Sequence, residues 1–526
     1  MPKPCTAPKA RPPAAAPDPP DTGRDRWVDA GIVAVVAVAL RLPAFLASAH
    51  LSFDDGVYGA SAVAMRAGGA PFRDVFSSQG PLWLPLVWLG DAATFRTSSS
   101  PRTVAVVAGA VLAVAVYLAG REVTGRAGAL IAAALVAFSG SALWTTGPLT
   151  SDGAGEALGA AAVATALVYR RRPGPGRAVV IGLLAGAAVA VKSLLVLPAV
   201  LVAALVVLAA GRRRDVAAAG LAATALVVAA TVPWGVAEVY QQSVAYHTGV
   251  SYERTPGANL DKALSTLTDR DPTVLVAGLV AAGAGAVLAV ARRRRGRAGA
   301  PSASTPSPWR DRLVGGRAPL VAWALLATAV LALEAPMWRN HVIHLVVPLA
   351  LLIGAARVPW PVVATAALLA VPWQLAGLGG VLRPPPYRGA AATTSAALRR
   401  MPPGAQAISD DPGLVWRSGR LTPPDFVDTS VLRITSTDPR VDLTEDDVVA
   451  AAAEPAVCAV VQWSGDRFGR FRALGARLSA AGYRSFGPDL GRGRRLWLKR
   501  PCRPPSARAA VAAPSGRERA AAARGR

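Results

Sequence analysis

Two adjacent carboxylates, Asp54 and Asp55, stand a few residues beyond the first long apolar segment, in a stretch that runs FDDGVYGASAVAMRAGGAPFRDVFSSQGP from Phe53 to Pro81. Acid where an apolar phase ends is costly unless it faces a water-filled cavity or a partner. A carboxylate held there could take a proton from an attacking hydroxyl. Two neighbouring acids also raise each other's pKa, which suits a base. The structural alternative is that one of the pair caps the helix beginning near Gly56, since Asp is a favoured N-cap.

Other polar groups stand out against apolar surroundings. Lys192, in AVAVKSLLVLP, is the one lysine inside the hydrophobic core sequence. A buried ammonium costs about 2.5 to 3.5 kcal/mol on insertion scales, so it either meets an anion or snorkels to the interface. Asp152, in GPLTSDGAGE, is a second acid or a cap for the helix starting near Gly155. Arg339, His341 and His344 sit in EAPMWRNHVIHLVVPLALLIG; an arginine matches phosphate by paired hydrogen bonds. The two histidines are spaced to share a helical face, with no acid beside them to complete a metal set. Arg73 and Gln79 lie in the loop after the first acids, and Arg41 lies inside the first apolar run. Either arginine could pair with Asp54 or Asp55. The sequence has no CxxC, no HExxH and no glycine-rich nucleotide loop, so neither a metal framework nor a nucleotide site is called for.

These groups need elements to position them. Of 526 residues, 52% are hydrophobic and 17% charged, against roughly one quarter charged in soluble domains; mean hydropathy is +0.37. Long apolar stretches with basic clusters between them make a polytopic helical membrane protein. The net charge of +25 does not signal nucleic acid. Its arginines fall in short loops, at 121 to 126, 170 to 177, 212 to 214 and 292 to 297, where the positive-inside rule puts cytoplasmic charge. With the N-terminus inside, candidate spans are 29–47, 103–119, 127–144, 156–169, 178–191, 194–210, 215–237, 273–291, 318–334, 341–356 and 358–376. That is a bundle of about 11 to 13 spans. Parity then keeps 81–95, PLWLPLVWLGDAATF, from crossing, and its tryptophans, Pro85 and Asp91 suit an interfacial segment; the alternative is that it crosses and another short span does not. Residues 178–210 hold two helices only if the turn near Lys192 is tight. Residues 24–49 have a signal peptide's shape, ending in Ala47-Ser48-Ala49, but Arg41 and the later spans favour a retained anchor.

The expected organisation is a disordered cytoplasmic tail (1–26), a transmembrane domain (27–380) with its reactive external loop at 48–102, and a small extracytoplasmic α/β domain (385–502). A disordered basic tail (503–526) follows. The third region alternates strand-like AVCAVVQW and RRLWLKR with helix-like LTEDDVVAAAAEP and FGRFRALGARLSAAG. Cys458 and Cys502 could form a disulfide there, a pairing that spacing alone leaves open.

An apolar helix, then DDGVY, about a dozen residues ending in GG, and PFRDVFSSQGPL together resemble the first external loop of the GT-C membrane glycosyltransferases, in particular glycosyltransferase family 39. The family form is Asp-Glu before an aromatic position and a later Gln-or-Lys-Pro-Pro-Leu; here Asp55 and Gly80 stand at two of those places. The resemblance, over roughly residues 30–380, implies Asp54 as general base, with Asp55 beside it. It also implies Lys192 at a hinge meeting a lipid phosphate, and Arg339, His341, His344 and Arg73 as donor or phosphate contacts. Asp152 and Gln79 would be the second acid and an acceptor contact. The implied protein is a plasma-membrane enzyme that moves a sugar from a polyprenyl-phosphate donor to an envelope acceptor with inversion, partnered by the lipid bilayer. No cofactor is required by this chemistry, and a divalent metal is not demanded. Two other readings fit charges in a membrane cavity: a lipid or polysaccharide flippase, which should show inverted repeats, and a non-catalytic envelope assembly protein.

Overall fold

The computed structural model describes residues 23–210, 212–248, 255–296, 316–356, 358–433, 443–486, 490–502 and 504. Of the tails expected at 1–26 and 503–526, residues 1–22, 503 and 505–526 lie outside the described residues, as do the side chains of the 292–297 arginine cluster, while 23–26 open the first helix. The chain is mainly helical. In order come α1 (Gly23–Leu46), α2 (Phe53–Arg66), α3 (Trp83–Ala93), α4 (Thr103–Val123), α5 (Arg126–Phe138), α6 (Gly140–Thr146), α7 (Ser151–Arg171), α8 (Pro175–Val191), α9 (Leu197–Ala210) and α10 (Arg213–Thr231). Beyond them lie Pro256–Arg270, Pro272–Gly296, Ala318–Leu333, Ile343–Gly354 and Trp360–Gly377. Every expected span coincides with a helix in this series.

Five of the described helices are long and apolar enough to cross a membrane, or six if the bent pair α5 and α6 counts as one span. Four shorter apolar helices accompany them, Pro175–Val191, Leu197–Ala210, Ala318–Leu333 and Arg339–Gly354. The protein is therefore multi-pass, with fewer full-length helices than hydropathy led one to expect. The 58° bend between α5 and α6 has a visible cause. Ser139 and Ser141 each donate to the buried carboxylate of Asp271 at 2.5 Å, so the chain breaks to satisfy an acid.

Close packing in the bundle uses small residues. A methyl group at Gly182 would sit 2.1 Å from the Ala219 carbonyl oxygen and one at Gly186 2.6 Å from that of Ala223, so α8 and α10 touch backbone to backbone, as membrane helices do where lipid supplies no hydrophobic drive. Arg41 is fully buried in α1. It donates to Thr146 Oγ1 at 2.6 Å and to the Ala37 carbonyl at 2.8 Å, and pairs with neither Asp54 nor Asp55, correcting the expectation of an ion pair.

Segment 81–95 yields only the eleven-residue α3, about 16 Å long at 1.5 Å per residue, far short of the roughly 30 Å hydrocarbon core. Trp83 is buried while Trp88, Leu89 and Phe95 are exposed, an apolar edge beside a packed face.

The C-terminal region carries a four-stranded mixed sheet of order β1-β2-β4-β3, built from β1 (Gln406–Ser409), β2 (Val457–Gln462), β3 (Tyr483–Ser485) and β4 (Arg495–Lys499). β1 runs parallel to β2, and the other two pairings are antiparallel. Helix Glu445–Ala453 begins in a capping box of Thr444 and Asp447. Cys458 and Cys502 are joined by a disulfide.

Candidate active site

Ser52 decides the direction of the two acids. Its hydroxyl accepts the Asp55 amide at 3.1 Å, so Ser52, not an aspartate, is the N-cap of α2. Asp54 and Asp55 then fall in the first turn and point about 100° apart.

Asp55 turns inward. Its carboxylate accepts Arg102 Nε at 3.0 Å and Nη2 at 2.5 Å, the Leu51 amide at 2.8 Å and the Leu149 amide at 3.0 Å. Arg102 spends its remaining donors on the carbonyls of Ala44, Ala47 and Ala49. Both side chains are fully buried. Burial would raise the Asp55 pKa, but the guanidinium and the amides win, and the carboxyl titrates below its ordinary range. With every lone pair engaged, Asp55 fastens the end of α1 to the start of α4 and has no hand free for substrate.

Asp54 faces a cavity of about 650 Å³. Among the described residues its carboxylate makes no hydrogen bond or ion pair. Burial and the nearby Asp152 charge, against the pull of Lys192, push its pKa up to about 6.

Across the cavity stands a cationic wall. α8 ends at Val191, and Lys192, its C-cap, is extended. The loop after α2 crosses here: the Gly80 amide donates to the Val191 carbonyl at 3.3 Å and the Leu82 amide to that of Ala190 at 2.9 Å. A Cβ at Gly80 would lie 2.2 Å from the Ala190 oxygen, and a proline would also lose the amide bond. Hence the glycine where the resemblance expects proline. The crossing sets Gln79 beside Lys192, whose Nζ donates to Gln79 Oε1 at 3.1 Å and meets Asp152 Oδ1 at 3.2 Å. Ser151 Oγ donates to the same Gln79 oxygen at 2.8 Å. His341 Nδ1 lies 2.7 Å from Glu334 Oε2, and its Nε2 lies 3.8 Å from Asp152 Oδ1. An acid does therefore stand beside this histidine, although the described residues hold no cluster of three or more ligands for a metal. At the rim Arg339, half exposed, pairs with Asp269 at 2.9 Å. His247 donates from Nε2 to the Ser78 carbonyl at 2.7 Å; burial, then Lys192, lowers its pKa to about 4, which leaves it a neutral donor.

Asp54, Gln79, Asp152, Lys192, Arg339 and His341 thus line one cavity. Three expected members do not. Arg73 is 71% exposed and pairs with its neighbour Asp74. His344 is buried behind the site against Glu156 at 2.6 Å. Asp55 belongs to the knot described above.

Three charged lining groups escaped the sequence reading: Glu334, already met beside His341, Lys262 and Asp428. Lys262 donates to the Met337 carbonyl at 2.6 Å and stacks on Trp338. Asp428 comes from the C-terminal region, which docks on the helix that carries Asp54. Gly56 of α2 lies against the Gly413 backbone and Gly59 against the Trp416 ring; a Cβ at either would clash at 2.6 or 2.2 Å. The guanidinium groups of Arg102 and Arg417 both lie over the Trp416 ring, and His50 meets Asp411 at 3.2 Å. The spacing of Gly56 and Gly59 was the available signal for such a docking face.

Residues 82–307 match the model of glycosyltransferase family 87. No curated protein matches. Among solved structures, the chain resembles ArnT from Cupriavidus metallidurans bound to undecaprenyl phosphate, at 14% identity and TM-score 0.61 over 94% of this chain and 100% of that one. The apo state of the same protein gives 14% identity and TM-score 0.59 with the same coverage. An Archaeoglobus fulgidus oligosaccharyltransferase tethered with an acceptor peptide is more distant, at 13% identity and TM-score 0.48 over 89% of this chain and 73% of that one. The loop that pointed to family 39 lies ahead of the matched residues, and it departs from that family's form at Asp55 and Gly80. The family expectation is corrected accordingly: this is a multi-pass membrane glycosyltransferase of GT-C fold whose residues 82–307 carry the family 87 pattern, not that of family 39.

Proposed function

We propose that the enzyme transfers a sugar from a polyprenyl-phosphate donor to an extracytoplasmic acceptor by single displacement with inversion. One observation carries the reading: an unpartnered carboxylate with a raised pKa, Asp54, shares a cavity with the ammonium of Lys192. Asp54 accepts the proton of the acceptor hydroxyl as its oxygen attacks the anomeric carbon. The bond from that carbon to the lipid phosphate breaks on the opposite face, and the phosphate leaves carrying its charge. Lys192, held by Gln79 and Asp152, stabilises that charge, with Arg339 and His341 beside it. Undecaprenyl phosphate, bound in the similarly folded ArnT structure, is a carrier of the required class.

The N-terminus lies in the cytoplasm and the cavity opens on the outer face of the plasma membrane. The arginine clusters support that orientation by the positive-inside rule, and the disulfide of Cys458 and Cys502 supports an oxidising compartment for the C-terminal region. In this topology 27–380 is the transmembrane unit and 385–502 the outer domain, while α3 lies along the outer interface. Membranes carrying the protein are incubated with a panel of labelled polyprenyl-phosphate sugars. Wild type should label an envelope acceptor and Asp54→Asn should not; transfer retained by the variant rejects Asp54 as base.

A further inference from the structure

The cavity lining carries two chemistries. Lys192, Lys262, His341 and Arg339 are the groups suited to phosphate, with Asp152 and Glu334 among them. The lining also carries the hydroxyls of Ser52, Tyr58, Ser430 and Tyr246 and a further acid, Asp428, whose charge acts on Asp54 after those of Asp152 and Lys192. Asp428 is 5% exposed and held in place. Its Oδ1 accepts the Ser430 amide at 2.9 Å and its Oδ2 accepts Ser78 Oγ at 3.3 Å. Ser78 in turn precedes Gln79, the residue on Lys192. Arg467 of the C-terminal region, whose charge also acts on Asp428, donates to the Asp410 carbonyl and lies over the face of the Phe53 ring.

We infer that Asp428 and Asp54 form an acceptor subsite for a neutral, polyhydroxylated unit: a sugar residue, with one hydroxyl on Asp54 and a neighbouring hydroxyl on Asp428. This rests on the transferase reading above and names the acceptor class for it. A carboxylate is acceptor-only and has lone pairs to spare after two hydrogen bonds; hydroxyls satisfy them, while a uronate or phosphate would bring a third negative charge against two. The fields already interact. Asp54 is raised by burial first, and the charge of Asp428 adds to it. Asp428 is itself raised above the ordinary carboxylate range by burial, which its Ser430 and Ser78 contacts only partly offset. The neutral hydroxyls of the wall complete a lining that recognises a polyol by hydrogen bonds.

The test uses the full-length protein in membranes with the labelled polyprenyl-phosphate sugar that wild type turns over. The labelled product is degraded and the unit bearing the new linkage identified. A neutral sugar is expected; label on a uronate, on a phosphorylated unit or on a serine or threonine overturns the subsite. In parallel, Asp428→Asn keeps an oxygen for Ser430 and an amide for Ser78, so the fold stands. It should lower transfer at limiting acceptor by roughly tenfold with the donor KM unchanged, and Asp428→Glu should recover part of the loss. Equal rates for Asp428→Asn and wild type overturn the assignment, as does a change confined to donor KM. If wild type itself labels nothing, the transferase reading fails instead, a distinct result.

Discussion

Asp54 and Asp55 are neighbours in sequence and opposites in environment. One hangs unpartnered over a cavity with its pKa pushed up to about 6; the other is saturated by Arg102 and two amides and titrates low. Identical side chains one residue apart on a helix diverge by about 100°, so what each does is fixed by what the fold places opposite it. On the outer side that is open volume and Lys192. On the inner side it is an arginine that also gathers three carbonyls of the preceding turn. In the proposed reaction one dipeptide thus supplies both the base and its mount. The comparison separates catalytic loss from structural loss at a single site.

The largest effects should fall on the pair itself. Asp54→Asn removes the base while preserving shape, and transfer should fall by about 10²- to 10⁴-fold with thermal stability unchanged. Asp55→Ala should do the reverse. It strands the buried guanidinium of Arg102, a loss of about 3 to 5 kcal/mol, read as collapsed yield or a lowered unfolding temperature in detergent. If Asp55→Ala folds normally and only the rate suffers, the division between the two acids is wrong.

Lys192→Met tests the opposite wall at a smaller scale. Losing a charge that stabilises a leaving phosphate should cost roughly 10²- to 10³-fold in kcat, and it also frees Asp152 and Gln79 from their shared partner. A lysine that merely reached toward the interface would give little change in kcat.

Acidity offers a continuous version of the same comparison. A base works unprotonated, so with Asp54 near 6 kcat/KM should be level above neutrality and fall about tenfold per pH unit below about 6. The sign follows from the raised pKa: protonation, gained as pH drops through it, removes the acceptor of the proton. Asp428→Asn takes away one negative neighbour and should move the inflection to lower pH. A profile that rises toward acid would place the essential proton on a different group.

Hydropathy made the helices legible, because every apolar run of membrane length became one, and Asp54, Lys192, Asp152, His341 and Arg339 could be gathered from loop positions. What the sequence concealed was direction and distance. Nothing local distinguishes Asp54 from Asp55; Arg102, 47 residues on, does. Asp428 reaches Ser78 across 350 residues, a contact made only because Gly56 and Gly59 leave α2 flat enough for Trp416 and Gly413. His344 shared a helical face with His341 by count, yet Glu156 from a different helix captures it. The turn at Lys192, by contrast, was legible: α8 ends there after 17 residues and α9, 14 residues long, begins beyond it, as the two short apolar runs 178–191 and 194–210 suggested.

Arg73 gives the smallest expected effect and the sharpest control. A guanidinium in the reactive loop, 19 positions from Asp54 in sequence, invites a role in phosphate binding. The fold instead turns it to solvent at 71% exposure, paired with Asp74 at 2.9 Å. That surface pair contributes little, as exposed ion pairs generally do. Asp74 holds the turn independently, since it also accepts the Ala70 amide at 2.9 Å. Arg73→Ala should therefore leave kcat, donor KM and unfolding temperature within about twofold or a degree or two of wild type. A tenfold rise in donor KM would mean that the loop refolds around bound lipid, bringing Arg73 to the phosphate, and that the cationic wall reaches further than Lys192 and Arg339.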